Sequence, residues 1–287
     1  MKKYIGIHVR ATQTIAFLFG ENLEILSEIK IVTRSNDGKE IILQDIFDII
    51  QKLKDDLVVS IGVAWAGFID SRNGVVLKSP HITGFDNVHL TKIISERFQI
   101  PVFLENGTKL FAYTEQQIVY HGCRSLLGIM IGTGVGCGIV INGDIFRGTN
   151  GNAGEIGHTL PSLSYESRDL EQYFSEETCT KMIKDIGFHN LKEFQEKATR
   201  EDIEKLSKFI EMFLIWIYNL ILTFDPERII FGGSVGKNII APLLPYVEEK
   251  LKNIFEEKGY PYSCLFGISQ LRNTEVIGAG VLAKNHS

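Results

Sequence analysis

The four cysteines of this chain, Cys123, Cys137, Cys179 and Cys264, stand far apart, with no CxxC or CxC pair among them. That spacing supports neither a zinc knuckle nor a disulfide framework. The opening run, MKKYIGIHV, is too short an apolar stretch for a secretory leader or a membrane span. Cationic excess is lacking too: 30 Lys and Arg against 35 Asp and Glu leave a formal net charge of −5, so no nucleic-acid-binding surface is indicated. Low-complexity segments and short-period repeats are absent. What is left is ordinary globular composition, 44% hydrophobic and 23% charged over 287 residues. It suits one large or two medium domains in a reduced, cytoplasmic compartment, with no membrane partner.

Hydrophobic patterning divides the chain into two similar halves. Tyr4–Val9, Thr14–Phe19 and Ile25–Val32 read as a β-meander. Ile42–Lys54 has apolar residues at helical spacing, Leu57–Ala66 reads as a strand, and Leu90–Phe98 as a short helix. Pro101–Leu104 follows as a strand and Lys109–Tyr120 as a helix. Ser125–Ile131 and Gly136–Ile141 then form two strands joined by a glycine-rich turn, and Ile145–Arg147 is expected to pair next. From Glu166 to Lys258 the pattern is mostly helical, with Leu206–Phe224 the longest and most apolar stretch. PERIIFGGSV gives a strand and glycine turn, with a helix from about Ile239. CLFGISQL gives a late strand and VIGAGVLAK a closing helix. Two such halves imply domains at 1–110 and 111–273, with the helix at about 274–287 packing back on the first and a ligand cleft between them.

Gly132, Gly134, Gly136 and Gly138 alternate with other residues in IGTGVGCGIVING. A dinucleotide fingerprint needs a third glycine where Cys137 stands, and opens a helix where this chain continues as strand. No G-K-[ST] follows, so the stretch is not a Walker loop. A glycine-rich hairpin still presents bare backbone N–H groups that can hold phosphate oxygens, or it serves packing alone.

The continuation GTNGNAGEIGH changes the balance. Residues 132–158 resemble, almost position by position, the GTGxGxG…AGEIGH signature of the ROK proteins (repressors, open reading frames and sugar kinases). GVAWAGFIDSRNGVVLKSPHITGFDNVHL, FDPERIIFGGSV and TEVIGAGVLA are similar to further family segments, so the resemblance spans nearly the whole chain. It implies a two-domain α/β fold of the actin-like ATPase (ribonuclease H-like) type, with ATP and a sugar meeting in the interdomain cleft. It also implies sugar contacts by Asn106, Glu155, His158 and Glu171, ATP or phosphate contacts by Thr12, Gly132, Thr133, Gly134, Gly232 and Gly233, and a homodimer. Read without the motif, Glu155 is a helix cap and Glu171 a solvated surface residue. Trp65 and Phe85 are candidates for the floor of a sugar site or for core.

Three departures from the signature bear on chemistry. An active member opens on a DxGGTK-like turn whose aspartate helps hold magnesium. Here the turn reads His8, Val9, Arg10, Ala11, Thr12, Gln13, and an imidazole is a poor ligand for a hard cation. Arg10 either contacts a phosphate or points to solvent. The family's general base lies in an ENDAN-like turn, where this chain has Glu105, Asn106, Gly107, Thr108 and Lys109. Glycine cannot take a proton, and general-base catalysis is worth roughly 10²–10⁴-fold. Glu105 and Asp86 are the nearest acids to weigh as substitutes. The cysteines of the family's zinc loop are missing from LSYESRDLEQY at 163–173, so no structural zinc is expected.

Together these features imply a diverged sugar-kinase homologue that binds a hexose or hexose derivative, with ATP-dependent phosphotransfer weak or lost. Glucose, fructose, mannose, allose and N-acetylated hexosamines all fit the motif. ATP and Mg²⁺ are the expected cofactors if the chain is active. The alternatives are an active hexose kinase with a non-standard base, and a repressor of the same family. The repressor reading is disfavoured because such proteins carry a helix-turn-helix module ahead of the first strand.

Overall fold

The structure is a computed structural model that describes residues 1–161 and 169–287. In chain order its strands and helices begin with β1 (Lys3–Val9), β2 (Gln13–Phe19), β3 (Ile25–Val32), α1 (Lys39–Leu53), β4 (Val58–Trp65), β5 (Phe68–Asp70) and β6 (Val75–Lys78). They continue as α2 (Leu90–Phe98), β7 (Val102–Asn106), α3 (Gly107–Thr114), β8 (Ser125–Ile131), β9 (Val135–Ile141) and β10 (Asp144–Ile145). Then come α4 (Leu170–Phe174), α5 (Glu176–Asp185), α6 (Leu191–Lys197), α7 (Arg200–Lys205), α8 (Ser207–Phe224), β11 (Arg228–Gly232) and the single turn α9 (Gly233–Val235). The chain closes with α10 (Ala241–Lys258), β12 (Leu265–Ile268) and α11 (Thr274–Asn285).

The chain divides into two compact units. The first comprises Met1–Thr114, Arg147–Asn152 and Leu271–Ser287; the second comprises Glu115–Phe146 and Ala153–Gln270. Each is built on a five-stranded sheet of the same design. In the first the order is β3-β2-β1-β4-β7, and in the second β10-β9-β8-β11-β12. Both start as an antiparallel meander and continue with two parallel strands. The parallel steps are joined through helices, as parallel crossovers require.

In the first unit, alternation along β1 sends Ile5, Ile7 and Val9 to one face of the sheet. There they pack with Ile42, Ile46, Ile49 and Ile50 of α1. Tyr4, Gly6 and His8 take the opposite face, where Tyr4 packs with Val276 and Ala283 of α11. Both faces are covered, so β1 and β4 read as near-continuous apolar runs. The approach of α11 depends on Gly62 of β4: a Cβ there would stand 2.7 Å from the carbonyl carbon of Ala279. Ser60, on the same face, donates to the Ala283 carbonyl at 2.8 Å.

In the second unit the core gathers under α8, whose Ile210, Phe213, Trp216, Ile217, Leu220 and Ile221 are buried. By length and composition α8 is apolar enough to cross a membrane; that buried stripe is what a core helix shows as well. Phe174 of α4 stacks on Trp216 with ring centroids 5.2 Å apart and meets Phe209 and Phe213 edge-on. This cluster pins a five-residue helix that its own backbone could not hold.

Two segments differ from the sequence expectation. The helix expected at Lys109–Tyr120 starts at Gly107 and gives way at Glu115–Val119 to a wider π-type turn. The hairpin β5–β6 falls in a stretch that periodicity leaves unassigned, because its strands are three and four residues long. The expected helical signal over Glu166–Arg168, and most of the cysteine-free stretch at 163–173, lie outside the described residues.

Candidate functional site

The expected site residues fall into two groups, one in each unit. In the first unit they sit where β1 turns into β2 and where β7 runs into α3. Asn106 ends β7. Its side-chain oxygen accepts from Thr108 N at 2.8 Å and Lys109 N at 3.2 Å, capping α3, and its amide nitrogen donates to Gly67 O at 3.0 Å. Gly107 is buried, and a Cβ on it would lie 3.2 Å from His8 Nε2 and 3.8 Å from Glu275 Cγ. The two positions at which this chain departs from the motif's acids are therefore neighbours. Thr12 is exposed in the β1–β2 turn, where its carbonyl accepts from Thr33 N at 3.2 Å.

Glu105, weighed above as a substitute base, is otherwise employed. It is 1% exposed and accepts from Arg147 Nε at 2.6 Å, Ser71 Oγ at 2.9 Å and Asn106 N at 2.8 Å. Lys109 is also buried, its ammonium donating to the Gly151 carbonyl. These two contacts fasten Arg147–Gly151 to the β7–α3 junction. They bound a cavity of about 280 Å³ whose walls include Ser71, Arg72, Asn73, Arg147 and Gly151. Asp86 is exposed and accepts from Ser79 N at 3.3 Å. Trp65 and Phe85 are fully buried against each other, centroids 4.5 Å apart, and belong to the core.

Burial lowers the pKa of His8 from 6.5 to about 4; Glu275 nearby opposes the shift and Arg10 adds to it. The folded value lies below the unfolded one, so His8 costs no stability above pH 6.5. Between pH 6.5 and 4 the unfolded chain binds the proton more readily, and stability falls. The shift corresponds to about 3 kcal/mol lost by pH 4. Urea unfolding of His8→Asn should show a flatter pH dependence across that window than the native chain; equal slopes would mean the ring is solvated.

In the second unit, the hairpin between β8 and β9 closes through Gly132 N to Gly134 O at 2.9 Å, leaving Thr133 exposed at its tip. Gly232 ends the neighbouring strand β11, which runs parallel to β8, and Gly233 opens the turn α9 after it. Gly233 has φ +80°, and a Cβ there would meet the Ile131 backbone at under 3 Å, so the turn requires glycine. The two segments expected at ATP thus lie side by side. Glu171 is not a solvated surface residue. Phe174 anchors its helix, and its carboxylate accepts from Val135 N at 2.8 Å beside Gly134. A second carboxylate stands close by. Glu176 donates its main-chain N–H to Gly132 O at 2.6 Å, and its Oε2 accepts from Ser234 Oγ at 2.5 Å.

Glu155 caps the short 3₁₀ turn Ile156–His158 through its backbone, with no side-chain cap bond. Cys137 N donates to Gly154 O at 3.0 Å and ties this loop to β9. His158 is exposed, with Nδ1 3.0 Å from Asp169 Oδ2. That hydrogen bond raises its pKa above 6.5, and the charges of Glu171, Asp169 and Glu155 raise it further. Glu155, His158 and Glu171 are therefore close enough to interact, a cluster of hydrogen-bonding groups suited to sugar hydroxyls. Asp169, Glu176 and Ser234 were not singled out from the sequence. No motif marks them, and only the folded hairpin brings them in.

The donor set can be weighed against the cofactors. At the β1–β2 turn an imidazole and a guanidinium stand where Mg²⁺ takes oxygen ligands, so these residues do not fit the metal. The hairpin retains its bare glycines, but one of its N–H groups already faces a carboxylate.

The matched family is the ROK family, over residues 4–286. A glucokinase from Halalkalibacterium halodurans is 30% identical over 320 residues, covering 98% of this chain and 94% of that one. A xylose repressor from Caldicellulosiruptor bescii is 25% identical, covering 88% of this chain and 71% of the repressor. A ROK family glucokinase from Streptomyces griseus, solved with glucose and AMPPNP, superposes with a TM-score of 0.74 at 22% identity and 99% coverage of both chains. The paired α/β units are those of the two-domain actin-like ATPase fold. With the family model matched over residues 4–286, this chain belongs to the ROK family.

Proposed function

We propose that this chain binds a hexose or hexose derivative, and that its ATP-dependent phosphotransfer is weak or lost. The observation that carries the reading is position 107. No side chain is present there to accept a proton, and Glu105 is held in its contacts with Arg147, Ser71 and the Asn106 N–H. Glu155, His158 and Glu171 supply the hydroxyl-bonding groups; Asn106, with its amide bonded within the protein, sets the adjoining backbone. Relatives named glucokinase and a neighbour solved with glucose and AMPPNP support hexose and nucleotide as the ligand classes. The ATP or phosphate contacts of this reading are Thr12, Gly132, Thr133, Gly134, Gly232 and Gly233. The family analogy adds a cytoplasmic homodimer. A second reading, an active hexose kinase with a non-standard base, is favoured by one observation: the His8 ring nitrogen beside position 107.

Thermal-shift titration with a hexose panel, with and without MgATP, tests the reading. Ligands that bind only the folded state raise Tm through RT ln(1 + [L]/Kd). A rise with a hexose, and turnover at least roughly 10²-fold below that of an ordinary hexose kinase, is the expected result. Turnover near the ordinary rate would overturn it in favour of the second reading.

A further inference from the structure

In the second unit, Asp169 stands just ahead of the five-residue helix α4, at the place of an N-cap, yet its side chain makes no cap bond. An aspartate there ordinarily turns its carboxylate onto the free N–H groups of the helix. Here Oδ2 lies 3.0 Å from His158 Nδ1 instead, and Oδ1 is buried with no hydrogen-bond partner among the described residues. The forgone cap and the unpaired oxygen both work against folding, so the bond to His158 is what the carboxylate's placement achieves. The backbone prepares this contact. Leu170 N donates to Thr159 O at 3.0 Å, joining the residue after Asp169 to the residue after His158. His158 N donates to Glu155 O at 3.2 Å and Thr159 Oγ1 to Ile156 O at 2.7 Å, which closes the turn that carries the ring. His158 itself is half exposed, and its Nε2 forms no hydrogen bond among the described residues.

We infer that Asp169 is a positioning residue of the sugar site: it fixes the His158 ring through Nδ1 and so presents Nε2–H, on the opposite edge, as a hydrogen-bond donor to a sugar hydroxyl. The inference rests on the sugar-binding reading above and names what controls that site. An ionised carboxylate only accepts, so the hydrogen between Asp169 and His158 is on Nδ1. Nε2 is then a bare acceptor in the neutral ring and a donor in the charged one. Glu155 and Glu171, as carboxylates, accept only. A hydroxyl that donates to either of them keeps lone pairs, and the charged ring can bond those. The titratable groups facing the ring are Asp169 just ahead of α4, Glu171 on α4 and Glu155 at the start of the 3₁₀ turn. The Asp169 hydrogen bond raises the His158 pKa above 6.5; partial burial opposes it, and the charges of Glu171, Asp169 and Glu155 add to it. The ring therefore keeps its proton to a higher pH than free histidine, and sugar affinity falls as the pH rises through its titration.

The test uses the full chain. Calorimetric titrations with glucose, mannose and N-acetylglucosamine run from about pH 5.5 to 9, and NMR follows the C2 proton of His158 over the same range. The tightest-binding hexose should lose about tenfold in affinity across the His158 titration, the difference between a charge-assisted and a neutral hydrogen bond. Asp169→Asn keeps an oxygen for Nδ1–H and removes the charge. It should match the native affinity at the acid end, lose affinity at a lower pH than the native chain, and show His158 titrating lower by the same interval. A loss spread evenly over all pH values would mean that Asp169 only supports the fold, and would overturn the inference. So would a native affinity that is flat or rises with pH, or a His158→Gln chain that keeps the native profile. Circular dichroism checks the fold of both variants. Should Asp169→Asn not fold, the native chain decides: a His158 that titrates at or below 6.5 overturns the inference. If a hexose binds without the pH step, the sugar reading stands and this inference fails. If no hexose binds at any pH, both fail.

Discussion

Replacing Gly62 by alanine is expected to cost the first unit about 3 kcal/mol or more of folding stability, the upper end of overpacking penalties. The reason is which atoms the new methyl group meets. They are the backbone carbonyl of Ala279 and its carbonyl carbon, the latter 2.7 Å away, in the middle of α11. A flexible side chain could swing aside; a helix backbone held by its own hydrogen bonds cannot. The helix must slide outward along its length and loosen its packing on β1 and β4. Urea unfolding gives the measurement. A Gly62→Ala midpoint within experimental error of the native one would show that α11 does not pack as closely as described.

The second large effect concerns Arg147. Its removal leaves Glu105, 1% exposed, with the Ser71 hydroxyl and the Asn106 N–H as its hydrogen-bond partners among the described residues. Stranding one member of a buried ion pair typically costs about 3–5 kcal/mol, and Arg147→Ala should fall near the lower end because the arginine itself is partly exposed. The double variant Arg147→Met with Glu105→Gln should recover most of the loss, since no charge is then left without a counter-ion. Chemical denaturation of the native chain, Arg147→Met, Glu105→Gln and their double closes the cycle. Additive losses would mean that the 2.6 Å contact contributes nothing of its own.

Much of the architecture can be read from the sequence because both sheets are covered on two faces. That leaves β1, β2, β4, β8 and β11 as apolar runs bounded by turns. The duplication shows for the same reason: each half repeats a meander and two parallel strands. The glycine hairpin and the AGEIGH loop are local motifs, and their residues stay close in space. What the sequence hides is non-local. His8 and Gly107 belong to different elements, and nothing in either segment announces that an imidazole faces the glycine. Glu171 looks like surface until Phe174 locks its helix and turns its carboxylate onto Val135 N. Glu105 looks available until Arg147, from a distant loop, takes it. The return of Arg147–Asn152 to the first unit has no compositional mark, because it is set by two side-chain contacts and a cavity wall.

The placement of α11 has a consequence for biosynthesis. The first unit contains the earliest strands of the chain, yet the helix covering β1 and β4 is encoded at its far end. Ser60 and its partner Ala283 are 223 residues apart. At ribosomal rates of about 5–20 residues per second, these strands emerge roughly 10–45 s before the helix that covers them. The second unit, whose segments end at Gln270, can complete its sheet earlier. During that interval the sheet face around Gly6 and Gly62 is bare and apolar. The nascent chain should therefore be a client of ribosome-associated chaperones, and a ribosome stalled before α11 should present a first unit open to protease beside a second unit that resists it.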